Sequence, residues 1–393
     1  MKWLNGGWDI TMENKPISIF QPSLGKEELN AVEEVFNSNW IGKGPKTEEF
    51  ESKLPESLGT NRDNVTTTTC CTEGIFQILD YLKIGEGDEV ILPSIGFVGV
   101  ANAIVSRGAT PVFCDVDKRT LNVASYYIME KITNKTKAVI LIHYGGLPCR
   151  MDAIIRLCEQ KNITLIEDNA CSPFSKYKGQ STGTIGDFGV WSFDAMKILV
   201  AGDCGLIHSR DAYITSELKK MCYLGLMTES GLSNKIDKKW WEFNISSPSR
   251  RSIVNDITSA IGLEQLKKVK NFIGMRKRIH NMYDSKLDKL DWLKTPPKLT
   301  DDVESSYYLY WIQLENREIR DELAKYLRDR NIYTTFRYYP LHLVEFYGKR
   351  DEVLPNTEEV SNTTLCLPLH QSLTFEDVDR VIKTIEEFSK KDE

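Results

Sequence analysis

The sequence lacks the features that mark several large classes of protein. Its 393 residues contain no uninterrupted apolar run approaching about 18 residues, which excludes a membrane-spanning helix by the usual criterion. The 50 basic and 56 acidic side chains are mixed along the chain, so no basic stripe indicates a nucleic-acid or membrane-surface partner. No GxGxxG segment opens a helix after the first apolar strands, which argues against a dinucleotide-binding dehydrogenase.

Cysteine and histidine are present but lack the spacing of disulfide or metal sites. The nine cysteines include no CxxC pair, and a chain of this length does not require a disulfide scaffold. The residues after Met1 carry no apolar core of a secretory signal, so we expect a cytoplasmic protein with reduced thiols. The histidines are His143, His208, His280, His342 and His370. Because none stands in a pattern such as HExxH, no metal site is predicted, and His143 is expected to orient groups behind a site.

Apolar strands and amphipathic helices alternate along the first two thirds of the chain. The predicted strands include "EVILP", "TPVFCDVD", "KAVILIHY" and "ITLIEDNA", and the predicted helices include "EGIFQILDYLKI", "GFVGVANAIVSRG" and "DAIIRLCEQKN". Strands embedded between helices at this spacing imply crossover connections and a largely parallel sheet covered by helices on both faces. We therefore predict a large α/β domain over residues 1–270.

The pattern changes after about residue 270. A long polar helix, "FIGMRKRIHNMYDSKLDKL", is followed by a predicted strand, helix and second strand at "SYYLYWIQLE", "IRDELAKYLRDRN" and "IYTTFRYY". An amphipathic helix, "FEDVDRVIKTIEEFSKK", closes the chain. We predict that residues 271–393 form a smaller α+β domain, with the hinge in the helix near residues 265–285.

One lysine, Lys197, stands in "VWSFDAMKILVAGDCGLI" between an apolar run and a loop of small residues. Such a lysine is usually a solvated charge. A catalytic amine needs further groups around it, so the interpretation of Lys197 depends on what other segments of the chain supply.

Three other segments carry candidate groups. Cys71, Thr72 and Glu73 open a predicted helix, where free amides and the positive end of the helix dipole favour a phosphate, although Thr72 could simply be a cap. Asp168 ends a predicted buried strand, where ligands of open α/β sheets bind, although it could instead cap the following turn. Phe97 follows another strand end and could stack on a flat ring or belong to the core.

These four parts together suit pyridoxal phosphate better than any other cofactor. That cofactor needs an amine for a Schiff base, an acid that keeps its pyridinium nitrogen protonated, an anion cradle and a stacking surface. Each part is weak evidence alone, but the chain supplies all of them in the order cradle, stacking ring, acid, lysine.

Several segments resemble the DegT/StrS family of pyridoxal-phosphate-dependent sugar aminotransferases, which have fold type I. "GEGDEVILPSIGFVGVANAIVSRGATPVFCDVD" is similar to that family's GDEVI–PS–F–A–NAI–GA–PVF–DVD stretch, and "SFDAMK" matches its Ser-Phe-x-x-x-Lys motif. "DITSAIGLEQLKKV", "YYPLH" and "CLPLHQSLTFEDV" match further family signatures. The resemblance runs from about residue 17 to residue 388 and is specific because many motifs agree in order and spacing.

The resemblance implies a role for each candidate residue. Lys197 would hold the cofactor covalently and act as general acid and base, and its position beside a cationic ring should lower its pKa. Asp168 would face the pyridine nitrogen, and Phe97 would stack on the ring. The phosphate would be held by Thr72, Ser192 and the backbone at Cys71. A lysine rather than a histidine at position 197 favours transamination over sugar 3-dehydration.

The chain departs from the family at three places. Glu73 follows Cys71 and Thr72 where the family commonly has Gly-Thr-Ala, so a carboxylate lies near the cradle. Cys171 stands where Gln or His is usual. Arg250 and Arg251 stand near the place of an asparagine that, in the family, reaches the phosphate from the partner subunit. We expect one of these arginines to reach the partner's phosphate, unless the two are simply a surface pair.

The resemblance predicts a homodimer with active sites at its interface and a ping-pong reaction. L-glutamate would be the amino donor, and a nucleotide-linked 3-keto or 4-keto sugar would be the acceptor. An aldehyde or phosphorylated ketone acceptor, or a non-catalytic regulator that binds the cofactor, remain alternatives. The segment "SGLSNKIDKKWWEFNISS" is expected to help form the substrate pocket, although its tryptophans could equally pack at an interface.

Overall fold

The computed structural model describes residues 15–227, 243–347 and 352–389. The helices are α1 (Lys26–Asn37), α2 (Pro45–Ser57), α3 (Cys71–Tyr81), α4 (Val98–Val105), α5 (Ser125–Met129), α6 (Met151–Lys161), α7 (Ala212–Cys222), α8 (Asp256–Leu287), α9 (Arg317–Arg328), α10 (Pro355–Thr363) and α11 (Phe375–Ser389). The strands are β1 (Val65–Thr68), β2 (Glu89–Pro93), β3 (Thr110–Cys114), β4 (Thr136–Ile142), β5 (Thr164–Asp168), β6 (Lys176–Tyr177), β7 (Gln180–Ser181), β8 (Phe188–Ser192), β9 (Gly205–Ser209), β10 (Leu293–Lys294), β11 (Val303–Glu304), β12 (Tyr310–Leu314) and β13 (Thr364–Leu367).

A seven-stranded sheet organises the first part of the chain. Its strand order is β1-β9-β8-β5-β4-β2-β3, and the pairs from β8 to β3 are all parallel. Only β9 runs against its neighbours β8 and β1. The predicted α/β class with a mainly parallel sheet is confirmed.

Both faces of this sheet are buried, which explains why its strands are apolar without alternation. Along β4, Ile140 packs into a cluster with helices α3, α4 and α7. The neighbouring residues Val139 and Leu141 point to the other face, where they pack with Ile128 of α5 and Ile154 of α6. Successive side chains of a strand point to opposite faces, so one apolar run supplies two helix-covered cores.

The carboxyl-terminal part is built on the antiparallel sheet β10-β12-β13. Helices α9 and α11 pack on it together with the second half of α8, through Ile279, Tyr283 and Leu287. Helix α8 is continuous through residue 270, and its first half packs against α1 and α2. The division into domains 1–270 and 271–393 stays a prediction, with one helix shared between the two parts.

The predicted strand "IYTTFRYY" is wrong. Residues 332–339 make only isolated bridges, one from Ile332 to Ile17 and one from Thr335 to Cys366. Ile332 packs in the carboxyl-terminal core, whereas Phe336 and Tyr338 pack against a different cluster near the large sheet. The segment therefore connects two cores instead of extending one sheet. No helix within the described ranges is long and apolar enough to span a bilayer.

Candidate active site

The candidate groups meet at one edge of the large sheet. Asp168 ends β5 and Ser192 ends the neighbouring strand β8. Lys197 lies in the loop from β8 to β9, and Cys71 is the first residue of the helix that follows β1. Because the carboxyl ends of parallel strands share an edge, groups from distant parts of the sequence come together in one crevice.

Asp168 is buried and only partly satisfied. Its Oδ1 accepts a hydrogen bond from the Ala170 amide at 2.9 Å and lies 3.9 Å from the Cys71 thiol. None of the hydrogen bonds within the described ranges uses its second oxygen, Oδ2. Burial raises the pKa of Asp168, an effect that the Ala170 amide and the charge of Lys197 oppose. The carboxylate therefore has capacity for a further cationic donor.

Helix α3 begins with a cysteine cap. The Cys70 thiol accepts from the Glu73 amide at 3.4 Å, and the Gly74 amide donates to the Cys70 carbonyl at 3.2 Å. The Cys71 amide has no acceptor among the described residues. An amide left free at a helix start is available to an anion, as the sequence predicts for this segment.

Close backbone packing brings Thr72 to Phe97. A β-carbon added at Gly99, in the first turn of α4, would lie 2.8 Å from the Thr72 hydroxyl and 3.1 Å from the Phe97 ring. At the same edge, a β-carbon on Gly205 would lie 2.6 Å from the Cys71 amide nitrogen. Both glycines allow contacts that any larger residue would prevent. Phe97 itself is 47% exposed, so one part of its ring is free to stack on a ligand.

The side chain of Lys197 is buried with its amine over an aromatic ring. Its exposed fraction is 8%, and Nζ lies 5.0 Å from the centroid of Tyr308. Burial opposes the charge, but Tyr308, Cys171 and Asp168 outweigh it and raise the pKa of Lys197. A surface lysine is thereby excluded. The lowered pKa expected beside a cationic ring concerns the cofactor complex and stays a prediction.

Cys171 also borders this amine. It is fully buried, its Sγ lies 3.5 Å from the Tyr338 hydroxyl, and burial raises its thiol pKa. The Tyr338 ring in turn meets Phe97 edge-on, with centroids 6.0 Å apart. A neutral thiol is a weak hydrogen-bonding group, so Cys171 contributes little polarity to the crevice.

Arg250 and Arg251, the two arginines near the place of the family's phosphate-binding asparagine, make different contacts. Arg250 donates from Nε to Glu73 at 3.0 Å and pairs with Asp80 at 3.2 Å, so it neutralises the extra carboxylate of its own chain. Arg251 is exposed and contacts the Tyr223 ring, with its guanidinium 5.6 Å from the centroid. The geometry thus separates the pair. Arg250 is engaged within the subunit, whereas Arg251 remains the candidate for the partner's phosphate.

Behind the crevice, His143 and Glu167 form a fully buried pair. The Cys149 amide donates to Nδ1 of His143 at 3.0 Å, so the proton is on Nε2, which donates to Glu167 at 2.9 Å. Three backbone amides, from Gly183, Ile185 and Gly186, also donate to this carboxylate. Burial is outweighed by these contacts, which lower the pKa of Glu167. These hydrogen bonds fix the His143 ring, and its predicted role of orienting groups behind the site stays a prediction.

The remaining histidines provide no metal centre in the described part of the chain, which contains no group of three metal-ligating side chains. Burial lowers the pKa of His208, His280 and His370 to about 4 in each case. His342 accepts from Ser94 at 2.6 Å, far from Lys197 in the sequence. The rings of His208, His280 and His370 are therefore neutral parts of the packed core.

The donor set fits pyridoxal phosphate. The free oxygen of Asp168 suits a protonated ring nitrogen, and the free Cys71 amide and the Thr72 hydroxyl suit a phosphate. The Tyr308 hydroxyl is buried without a partner among the described residues, beside the amine that the cofactor would use. Each of these groups needs a partner of the kind that this cofactor provides.

Sequence reasoning missed Tyr308 and Arg337. Tyr308 lies in an apolar run that predicts only a buried strand, and its approach to Lys197 spans more than a hundred residues. Arg337 lies in the segment that was predicted as a strand. No local signal identifies either residue, because their positions depend on how the two parts of the chain pack. Residues 230–242, which are most of the predicted substrate segment, lie outside the described residues.

Comparison with known proteins places this geometry in a family. The sequence profile of the DegT/DnrJ/EryC1/StrS aminotransferase family matches residues 22–386. The dTDP-4-dehydro-2,3,6-trideoxy-D-glucose 4-aminotransferase of Saccharopolyspora spinosa is 45% identical over 376 residues, which cover 95% of this chain and 96% of that protein.

Solved structures agree in fold over nearly the whole chain. The crystal structure of the aminotransferase TlmJ from Streptoalloteichus hindustanus has a TM-score of 0.91 and 46% identity, covering 96% of this chain and 99% of that one. The sugar aminotransferase Spr1654 from Streptococcus pneumoniae, described in a pyridoxal-phosphate form, has a TM-score of 0.88 and 28% identity, covering 96% and 99%. The predicted fold type I architecture is confirmed.

Proposed function

The chain belongs to the DegT/DnrJ/EryC1/StrS aminotransferase family, and from this premise we propose that it aminates a nucleotide-linked keto sugar. L-glutamate gives up its amino group and leaves as 2-oxoglutarate before the keto sugar binds, in a ping-pong sequence. The relative at 45% identity is named for a dTDP-4-dehydro sugar, which favours a 4-keto deoxysugar over a 3-keto one.

The observation that carries the amination chemistry is the convergence of Lys197 and Asp168. Both are buried at one sheet edge, with exposed fractions of 8% and 3%. A buried amine and a buried, half-satisfied acid are costly to maintain in a fold unless a ligand uses them. An aminotransferase uses both.

Each side chain has a defined task in this proposal. When bound, pyridoxal phosphate supplies an electron-withdrawing ring that stabilises negative charge on the carbon being deprotonated. The free oxygen of Asp168 would accept a hydrogen bond from the protonated ring nitrogen. The Cys71 amide, Thr72 and Ser192 would bind the phosphate, and the exposed part of Phe97 would stack on the ring.

Lys197 anchors the cofactor and then moves the proton. As a free amine Lys197 would take the proton from the α-carbon of the amino donor, and the resulting ammonium would hold that proton for return to the reacting group. Burial excludes water from this transfer, so the proton stays between Lys197 and the substrate. The raised pKa of Lys197 next to Asp168 favours the protonated form of the amine whenever no covalent bond engages it.

Arg337 supports an anionic substrate. Its guanidinium lies 4.2 Å from the centroid of the Phe20 ring, and Nη2 lies 3.5 Å from Sδ of Met196, the residue before Lys197. It pairs with no carboxylate in the described ranges. A carboxylate of glutamate or the diphosphate of a nucleotide sugar suits a guanidinium that no described carboxylate neutralises. Arg251 would reach the partner's phosphate in a cytoplasmic homodimer.

An amination assay tests the proposal. The purified enzyme is supplied with glutamate and a panel of dTDP-, UDP- and GDP-linked 4-keto and 3-keto sugars, and 2-oxoglutarate is measured. We expect turnover to be fastest with a dTDP-linked 4-keto deoxysugar. Turnover only with aldehydes or phosphorylated ketones would show that the acceptor belongs to one of these classes and is not a nucleotide-linked keto sugar. If glutamate produces no 2-oxoglutarate and no change in cofactor absorbance, the chain is a binding protein and the proposal is overturned.

A further inference from the structure

A buried serine and a buried histidine join two segments that border the crevice. Ser94 follows β2, three positions before Phe97, and His342 lies four positions after Tyr338. The exposed fractions of Ser94 and His342 are 0% and 1%. The Ser94 hydroxyl lies 2.6 Å from Nδ1 of His342, so one contact ties the end of a large-sheet strand to the segment that contains Tyr338.

The direction of each hydrogen bond in this contact follows from the donors present. The His342 backbone amide donates to the Ser94 hydroxyl oxygen at 3.1 Å, which leaves the hydroxyl proton for Nδ1. Nε2 then carries the ring proton and faces Oε1 of Glu358 at 3.4 Å. The Leu341 amide also donates to the Ser94 carbonyl at 2.9 Å. Both the backbone and the side chain of Ser94 therefore hold the histidine segment, and the contact with the ring is the shortest of these.

The same two segments meet again at Phe97. Its ring meets the Tyr338 ring edge-on, with centroids 6.0 Å apart. Phe97 is the N-cap residue of α4, so its backbone lies outside the helix, and 47% of its surface is exposed. Packing within its own element therefore fixes the ring only in part. Further support comes from Tyr338, whose position relative to Phe97 depends on how the two segments are joined.

We infer that Ser94 and His342 are positioning residues for the Phe97 ring. The hydrogen bond between them keeps the loop after β2 beside the segment that contains Tyr338, and so holds the exposed part of the Phe97 ring in the orientation in which it stacks on a ligand. A pair that acts through another side chain affects ligand binding only while that side chain is present. The inference rests on the stacking role of Phe97 in the proposed function.

The test measures binding of pyridoxamine 5′-phosphate, which has the ring and the phosphate of the cofactor but cannot form a Schiff base with Lys197. The full-length chain is freed of bound cofactor by dialysis against hydroxylamine and then titrated in a calorimeter. We expect Phe97→Leu to weaken binding about fivefold, because leucine is apolar but has no aromatic face. We expect Ser94→Ala to weaken it about threefold, because only the hydroxyl that holds His342 is lost.

The double variant shows whether Ser94 acts through Phe97. If it does, adding Ser94→Ala to Phe97→Leu weakens binding by less than about twofold more, whereas independent effects multiply to about fifteenfold and would overturn the inference. His342→Gln removes the Nδ1 acceptor but keeps an amide that reaches towards Glu358. It should weaken binding as much as Ser94→Ala, and it carries the test if Ser94→Ala does not fold.

Ser259→Ala is the matched control. Ser259 is also fully buried, and its hydroxyl donates to Thr47 at 3.0 Å, which joins α8 to α2. We expect a loss of thermal stability similar to that of Ser94→Ala, but binding within about twofold of wild type, because this hydrogen bond does not hold the segments beside Phe97.

Unchanged binding in either folded variant, Ser94→Ala or His342→Gln, would overturn the inference, as would equal weakening in Ser259→Ala. Because no turnover is needed, a chain that binds pyridoxamine phosphate without this coupling disproves only the inference. Coupling in a chain that aminates no keto sugar disproves only the proposed function, and a wild-type chain that does not bind pyridoxamine phosphate disproves both.

Discussion

At the end of β5, the carboxylates of Glu167 and Asp168 point to opposite faces, here called the rear and the front. The two carboxylates differ in how many hydrogen bonds they accept. Glu167, at the rear, accepts from His143 and from three backbone amides, and its pKa is lowered. Asp168, at the front, accepts from one amide, and burial raises its pKa. Adjacent residues of a strand point to opposite faces, so one sequence step separates a fully hydrogen-bonded acid from one with a free oxygen. A buried carboxylate whose two oxygens both accept hydrogen bonds supports the fold, whereas one with a free oxygen can bind a further donor.

The largest effect is expected from Lys197→Ala, which changes only the front of the strand end. Losing both the anchor and the base should lower amination by about 10³-fold or more, while thermal unfolding shows whether the variant remains folded. Turnover and thermal unfolding are measured side by side. Borohydride reduction of the wild-type protein, followed by peptide mass analysis, should find the cofactor on Lys197. A label on any other lysine would contradict the assignment.

The second prediction compares the two acids directly by conservative amides. In Glu167→Gln the new amide group faces three backbone N–H groups and the His143 N–H, so donors oppose donors in a buried site. We expect unfolding free energy to fall by about 3 kcal/mol. In Asp168→Asn the carbonyl still accepts from Ala170 and a buried charge is gone, so stability should be unchanged or higher. Amination should nevertheless fall by about 10²-fold, because the ring nitrogen loses its counter-charge.

The pH dependence of stability sharpens this pair. The pKa of Glu167 is lower in the folded state, so its stabilisation is present above its unfolded value and is lost as pH falls through the folded value. The pKa of Asp168 is raised, so its contribution favours the folded state in acid and is lost as pH rises through the folded value. Denaturant unfolding at several pH values should therefore show the advantage of Asp168→Asn at pH 7 and its disappearance in acid. Equal losses of unfolding free energy in Glu167→Gln and Asp168→Asn at neutral pH would contradict the distinction between the rear and the front carboxylate.

The sequence alone was sufficient to predict the positions of Asp168 and Cys71, because both lie next to clear local patterns. Asp168 follows a clear buried strand, and Cys71 opens a clear amphipathic helix, so their positions at a sheet edge follow from parallel topology. The resemblance then selects Lys197. The saturation of Glu167 could not be foreseen, because it depends on amides from a loop that contacts the strand end only after folding.

The same reasoning explains the missed and mistaken predictions. Tyr308 reaches Lys197, and residues 332–339 join two cores, through packing between distant parts of the chain. Periodicity reports which face of an element is buried but not which neighbour covers it. Arg250 and Arg251 are adjacent in sequence and similar in chemistry, so only the structure distinguishes the one that binds Glu73.

The last prediction has the smallest expected effect and concerns Arg250 and Arg251. It tests whether binding of the cofactor phosphate requires an arginine of the partner subunit. Arg250 is about half exposed and already paired with Glu73 and Asp80, so Arg250→Ala should weaken cofactor retention only about threefold, by releasing the charge of Glu73 near the helix start. Adding Glu73→Gln to the Arg250→Ala variant should restore cofactor retention. Arg251→Ala should weaken it about tenfold if this arginine reaches the partner's phosphate, because a guanidinium–phosphate contact between subunits is lost. Cofactor dissociation on dialysis measures all three variants, and wild-type retention in Arg251→Ala would leave the phosphate to Thr72, Ser192 and the Cys71 amide of a single chain.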